Sequence, residues 1–334
     1  MKGFIQVVVL LLFISCTSKP KLIKNQNIGE ALGTTFSIIY ISEYELDYQK
    51  EIDSIFQAFN KSMSTYLPDS DISKINSGDS TLIIDQMFRD VFMQSKLVHY
   101  ETNGYFDPTV GVLVDAWGFG PGKQIELDST KVDSLMQYVG FQKIGLTQDY
   151  RIVKIKKEIS FDFNAIAKGY AIDRLGQMLN EKGIKHYLVE VGGEVLTKGT
   201  NIINEKPWKV AIDDPNDLSA RGRAAIVELQ DMALASSGNY RKFRIDDETG
   251  QKYVHTINPK TGYTKNSNIL SATVVTASCI KADAYATAFM AMDLNKTKDL
   301  LSKRDDLEAF VIYLDEQGNS QNFMTKGFEK IVVK

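Results

Sequence analysis

The sequence predicts an α+β protein, with antiparallel sheets and packed helices. Segments of helical spacing and strand-like β-branched runs are both plentiful, and they do not follow the regular order of a parallel βαβ sheet. No internal repeat or low-complexity tract interrupts them, and seven prolines are too few to mark linkers. The main body reads as one domain.

The elements follow in order. Leu32 to Ile41 is rich in β-branched and aromatic residues and reads as a strand. Ile52, Ile55, Phe56 and Phe59 recur at helical spacing, and Phe88, Val91 and Phe92 mark a second helix ending before Asn103-Gly104. A third helix covers about Asp128–Val139. Strands then become frequent, at Arg151–Lys157, Tyr187–Val191, Trp208–Ile212 and Ala224–Leu229, with a helix over Ala165–Glu181 among them. Lys242–Ile257 reads as a hairpin around Asp246–Gly250, Ile269–Thr276 as a buried strand, and Ala282–Met292 as a helix. Glu308–Leu314 is a late strand that turns through Asp315–Gly318 into the last one.

The N-terminus has a different logic. Lys2 gives a minimal basic start, Phe4 to Ile14 is apolar apart from Gln6, and Ser15 offers a small residue before Cys16. That is the layout of a lipoprotein export signal, and it is shorter than the ~20 apolar residues a spanning helix needs. Phe13 stands where leucine is more usual. Residues 1–15 are therefore expected to be a signal peptide and Cys16 the lipidation site. Residues 16–29 are expected to be a linker and 30–334 the folded domain, lipid-anchored on the periplasmic side of a bacterial membrane. Cys279, the other of two cysteines, then has no intrachain disulfide partner.

Composition narrows the function. The net charge is −3 with both signs interspersed, and no basic stripe points to nucleic acid. Three histidines, His99, His186 and His255, lie far apart and have no cysteine pair to complete a zinc set. A metal here is expected to be a hard cation held by oxygen.

Four stretches carry residue types that cost stability unless used. Gly104–Gly111 and Asp115–Gly122 place many glycines beside Trp117 and Phe119, which suits either close approach to a flat ligand or a turn packed on the core. In Asp162–Ala171, Asp162 and Asn164 precede a helix start that favours anions, with Lys168 in its first turns; either residue could equally be an N-cap. In Ala282–Ala288, Asp283 and Thr287 are four apart and share a helix face. With a backbone carbonyl they would make the sparse oxygen set of Mg2+, or Asp283 could simply cap the helix. Ala235–Arg241 and His255–Gly262 bring hydroxyls, an arginine and a histidine to strand ends, and His255 is either a candidate base or, as a lone histidine more often is, structural.

In this order, these stretches resemble the ApbE family of FAD:protein FMN transferases. The resemblance also takes in Leu32-Gly33-Thr34, Met63–Tyr66, Pro68–Asn76 and Val191-Gly192-Gly193-Glu194, and runs from about Leu32 to Phe310. It implies a T-fold-related mixed fold. It also implies an enzyme that cleaves FAD and joins FMN by a phosphoester to a threonine of an acceptor protein, releasing AMP. Membrane redox subunits are the expected acceptors. The implied Mg2+ ligands are the Ala165 carbonyl, the Asp283 carboxylate, the Thr287 hydroxyl and the backbone near Ala286. The implied FAD contacts are Leu32, Tyr66, Trp117, Gly118, Phe119, Asp162, Lys168 and Ile257. The catalytic residues are expected to be Asp283, and His255 as the group that relieves the attacking hydroxyl of its proton. Asn164 and Ala165 stand where many relatives carry glycine, and Glu194 where aspartate is common. A Mg2+-dependent FAD pyrophosphatase yielding FMN and AMP, or a non-catalytic FAD-binding lipoprotein, remain alternatives at this point.

Overall fold

A computed structural model describes residues 21–217, 222–239, 243–245, 252–264 and 267–333. The signal segment, Cys16, Tyr240, Arg241 and the expected turn Asp246–Gly250 lie outside the described residues. In chain order the elements are β1 (Ile23–Ala31), β2 (Thr34–Ser42), α1 (Gln49–Met63), α2 (Asp71–Asn76), α3 (Gln86–Glu101), α4 (Gly111–Ala116) and α5 (Ser129–Met136). There follow β3 (Ile144–Leu146), β4 (Ile152–Lys154), α6 (Ala167–Glu181), β5 (His186–Val191), β6 (Glu194–Lys198), β7 (Trp208–Asp213), β8 (Arg223–Leu229) and β9 (Ala233–Gly238). The chain continues through β10 (Phe243–Ile245), β11 (Lys252–Val254), β12 (Ile269–Thr276), α7 (Cys279–Ala291), α8 (Leu294–Leu301), β13 (Glu308–Leu314), β14 (Ser320–Met324) and α9 (Lys326–Ile331).

Among the described residues, one eight-stranded antiparallel sheet organises the fold, in the order β1-β2-β5-β6-β9-β12-β13-β14. The pairs β3–β4, β7–β8 and β10–β11 form separate ribbons. Along β13 the side chains alternate between two cores. Ala309 and Val311 face the main one, Phe310 and Ile312 a smaller one with Ile212, Val227, Leu229 and Phe328. A strand buried on both faces reads as a continuous apolar run, as Ala309–Ile312 does. The main core packs Ile172, Leu175 and Leu179 of α6 and Tyr285 and Phe289 of α7 with sheet residues such as Val189, Ala235 and Val274. Helix α7 is buried almost throughout, which suits its lack of a polar face.

The expected linker needs correction. Residues 23–31 form β1, paired along its length with β2, so only 16–22 precede the sheet. Its inward positions are polar, which hid the strand period. Asn25 and Asn27 are buried, while Ile28 is exposed. Asn27 Nδ2 donates to Asp47 at 2.7 Å, and the Tyr40 hydroxyl donates to Asn27 Oδ1 at 2.9 Å, so these buried amides are paired. Leu32-Gly33, expected to open a strand, is instead the β1–β2 turn, with φ of 54° and 73°. Helix α7 starts at Cys279 rather than Ala282, α6 at Ala167 rather than Ala165, and α5 ends at Met136 rather than Val139.

Candidate active site

Helices α6 and α7 meet at their starts, and there the structure concentrates buried charge. Asp283 lies one turn inside α7, 4% exposed, and its Oδ2 accepts the backbone N–H of Gly169 at 3.0 Å. It is not an N-cap; Ser278 holds that position. Asp162 and Asn164 do not cap α6 either, since its N-cap is Ile166. Asp162 instead folds its own loop, accepting from Asn164 N at 2.7 Å and from Asn164 Nδ2 at 3.1 Å.

Beside Asp283, the Lys168 ammonium donates to Glu194 Oε1 at 2.6 Å. Glu194 is buried at the start of β6, and its second oxygen is buried with no hydrogen-bond partner. Burial, then the Glu194 charge, push the Asp283 carboxyl up to about 7 against the pull of Lys168 and the Gly169 N–H. Burial works against the Lys168 ammonium, but Glu194 and Asp283 outweigh it and hold its pKa above the usual lysine value. Thr287 follows one turn after Asp283, its hydroxyl 3.2 Å from that of Ser237 on β9. Ala286 is fully buried in the same turn, and Ala165 sits half-buried in the loop entering α6.

A second group of expected residues gathers in a small buried apolar cluster. Trp117 and Ile257 are buried together with Leu113, Val132 and Val139, and Phe119 packs against them. The indole Nε1–H donates to Gly262 O at 2.8 Å, and the Tyr263 ring lies 6.3 Å away, tilted. Gly118 takes φ of 80°, a conformation costly for other residues. His255 follows β11 and precedes Thr256, whose hydroxyl donates to Asn239 Oδ1 at 2.8 Å, and Ile257 of the cluster. Tyr66 is 61% exposed. Partial burial and then the charges of Asp162 and Asp115 raise its phenol pKa. Leu32, in the β1–β2 turn, packs at the edge of the main core.

Asp162 joins the two groups. Its N–H donates to Pro108 O at 2.8 Å, and Gly111 N donates to Ser160 O at 3.1 Å, which fastens the Gly104–Gly111 stretch beside the entry to α6. A Cβ at Gly111 would fall 2.7 Å from Ser160 O, so only glycine permits this approach. Burial raises the Asp162 carboxyl, Asn164 offsets part of that, and Asp115 adds to it.

Several residues that build the site were not singled out from the sequence. Asp107 Oδ1 accepts from the backbone N and the hydroxyl of Thr109, and Oδ2 from Phe141 N, with His99 Nδ1 at 3.4 Å, so it anchors the glycine-rich loop. Asn76 pairs with the Phe161 backbone through both amide atoms, at 2.8 and 2.9 Å, next to Asp162. Both residues sit inside the quoted motifs. Their polarity was the available signal, but partners 34 and 85 residues away are not legible in spacing.

The donor set suits a hard cation. Asp283 presents a carboxylate oxygen beyond the one on Gly169, Thr287 adds a hydroxyl one turn on, and the bare buried oxygen of Glu194 shows a centre with negative charge to spare. Among the described residues no three His, Cys, Asp or Glu side chains gather, so a cation here would need hydroxyl and backbone oxygens as well.

These features define an α+β protein with a buried carboxylate–ammonium centre and a buried apolar cluster around Trp117. The ApbE family model matches residues 32–311, and the chain belongs to the ApbE family. An FAD:protein FMN transferase of Haemophilus influenzae is 31% identical over 337 residues, covering 97% of this chain and 94% of that protein. One from Vibrio cholerae is 34% identical over 272 residues, covering 79% and 80%. Among solved structures, the flavin transferase ApbE from Vibrio cholerae superposes with a TM-score of 0.82 at 29% identity, over 93% of this chain and all of that one. The apo form of Pseudomonas stutzeri flavinyl transferase ApbE gives 0.81 at 28% identity, over 93% and 97%.

Proposed function

We propose that this chain transfers FMN from FAD to a target protein, joining it by a phosphoester to a threonine and releasing AMP. The observation that carries the reading is the buried Asp283 on the Gly169 N–H, with the Lys168–Glu194 pair beside it, in a chain of this family. FAD is the substrate, and the flavin end is assigned to the cluster of Trp117, Gly118, Phe119 and Ile257, with Leu32, Tyr66 and Asp162 at its border.

Phosphoryl transfer asks mainly for positioning and charge neutralisation. Lys168 supplies a fixed ammonium for the pyrophosphate, held by Glu194 as a cation. Asp283, Thr287 and the Ala165 carbonyl, with the backbone near Ala286, would hold Mg2+, which when bound neutralises phosphate charge. The acceptor threonine Oγ bonds to the FMN phosphorus as the bond to the AMP phosphate breaks, and an imidazole nitrogen of His255 takes the hydroxyl proton. Apolar walls at Trp117 and Ile257 keep water from competing with the threonine.

The Lys2–Cys16 pattern supports export and lipidation at Cys16, on the periplasmic side of a bacterial membrane. A tether there brings the enzyme to membrane redox subunits that present acceptor threonines.

The test is incubation with FAD, MgCl2 and a threonine-bearing acceptor. Flavin fluorescence on the acceptor band in a denaturing gel is the expected result. Free FMN and AMP without labelling would make the chain a pyrophosphatase, and intact FAD would make it a binding protein.

A further inference from the structure

Neither α6 nor α7 caps itself. The N-cap residues Ile166 and Ser278 make no side-chain capping bond. Each helix is capped by a carboxylate of the other. Asp283 of α7 accepts Gly169 N of α6 at 3.0 Å, and Asp173 of α6 accepts Cys279 N at 2.8 Å and Ile280 N at 2.9 Å of α7. Gly169 and Asp173 are four apart on α6, as Cys279 and Asp283 are on α7, so the two rungs lie one turn apart on facing sides. Sequence rises along α6 from one rung to the next and falls along α7, so the helices run antiparallel here. The contact leaves no slack: a Cβ at Gly169 would fall 2.3 Å from Cys279 O and 2.9 Å from the Asp283 Cβ.

The hydrogen bonds of Asp173 go to Cys279 and Ile280 and to no residue assigned to FAD or Mg2+, and it is a buried carboxylate that the proposed reaction does not use. As a bare helix cap it is costly, because burial pushes its carboxyl up to about 6 despite the two N–H bonds. A serine or threonine at position 278 could supply a local cap at lower cost, and Ser278 is present but makes no such bond. What Asp173 gives beyond a local cap is a bond to the other helix.

We infer that Asp173 is a positioning residue of the cation site: it fixes the axial register of α7 against α6, and so the placement of Asp283 and Thr287 relative to the Ala165 carbonyl. This rests on the Mg2+ reading above. The two rungs act as a pair, one holding the ligand itself and one holding the helix that carries it.

The experiment measures cation binding to the whole chain without substrate turnover. Mn2+, standing in for Mg2+, is titrated at pH 8 and the free ion read by electron paramagnetic resonance, on wild type, Asp173→Asn, Asp173→Glu and Phe328→Leu. Asp173→Asn keeps the side-chain shape but only one acceptor, and is expected to weaken Mn2+ binding about tenfold, the usual scale for a group behind a ligand. Asp173→Glu keeps both acceptors, but its extra methylene shifts α7, and binding is expected to weaken as well. This variant decides the matter if Asp173→Asn does not fold. Phe328→Leu, in the smaller core, is expected to lower Tm and leave Mn2+ affinity at the wild-type value. Wild-type Mn2+ affinity in a folded Asp173 variant with a lowered Tm would overturn the inference, reducing Asp173 to a stabilising cap. Absence of Mn2+ binding to wild type would instead overturn the cation site itself.

Discussion

Around Asp283 the protein buries charge, and around Trp117 it buries carbon. The centre between α6 and α7 holds the Asp283 and Glu194 carboxylates and one ammonium, with a carboxylate oxygen left bare. The second region packs Trp117, Ile257 and Phe119 with Leu113, Val132 and Val139, and the indole N–H donates to a backbone carbonyl. Buried charge is expensive alone and selective once a counter-charge arrives, whereas an apolar cluster is stable without a ligand and selects by shape. The first region is therefore expected to gain stability from a bound cation, and the second to stand without one. Substitutions in the first should change reaction rate and metal dependence; those in the second should change flavin affinity.

The sharpest test is Asp283→Ala. It removes the central carboxylate together with its bond to Gly169 N, and should lower flavin transfer on the order of 10^3-fold, the scale of several kcal/mol of lost charge stabilisation. The protein should remain folded by circular dichroism, since a carboxylate that burial disfavours is removed along with one hydrogen bond. Retained transfer would sink the ligand assignment. His255→Ala is next. Loss of a general base should slow transfer by about 10^2-fold or more, with FAD affinity, read by fluorescence quenching, changed far less. If affinity collapses instead, His255 belongs to the Trp117 cluster and not to the chemistry.

The charged region also responds to pH. With its folded pKa raised to about 7, Asp283 keeps a proton that the unfolded chain sheds near 3.8. As pH rises through that window the unfolded state binds fewer protons, so without a cation this group makes the fold less stable. A bound cation relieves the penalty. Below pH 7 it must first displace the proton, costing about tenfold in apparent affinity per unit. The rise in Tm caused by Mg2+ should therefore be larger at pH 8 than at pH 6, and a shift independent of pH would remove Asp283 from the site.

The two regions were unequally legible in the sequence. Asp283 and Thr287 share a helix face by spacing alone, and Lys168 falls in the first turns of a helix by the same reasoning. The proposed flavin contacts rest on the resemblance of ordered motifs to the ApbE family. In the sequence Glu194 stands out only as a departure from the usual aspartate, and nothing local marks Asp173. Their roles depend on β6 and α7 coming beside α6, contacts 26 and 106 residues apart that no local period encodes. The fold shows the same divide. Strands with one apolar face, such as β2, were readable, while β1 was not, because its inward positions are asparagines paired to the loop before α1.

The smallest expected effect is the most direct probe of whether the regions are separate. Trp117→Phe keeps an aromatic ring in the cluster and removes the indole N–H from Gly262 O, a bond worth about 1 kcal/mol net. Gly262 has φ of 76°, and a Cβ there would meet Val132 and Met136 at 2.7 and 2.9 Å, so the turn carrying it has little freedom to find another donor. The loss should fall on flavin placement, raising KM for FAD about fivefold while kcat and the Mg2+ half-saturation stay at wild-type values. A change in Mg2+ half-saturation would show that the cluster reaches the charged centre. The route available is the Gly104–Gly111 stretch: Val110 packs in the Trp117 cluster, and Pro108 O holds the Asp162 N–H five residues before α6 begins. Trp117→Phe therefore separates two working regions that share a substrate from one region with a continuous backbone link.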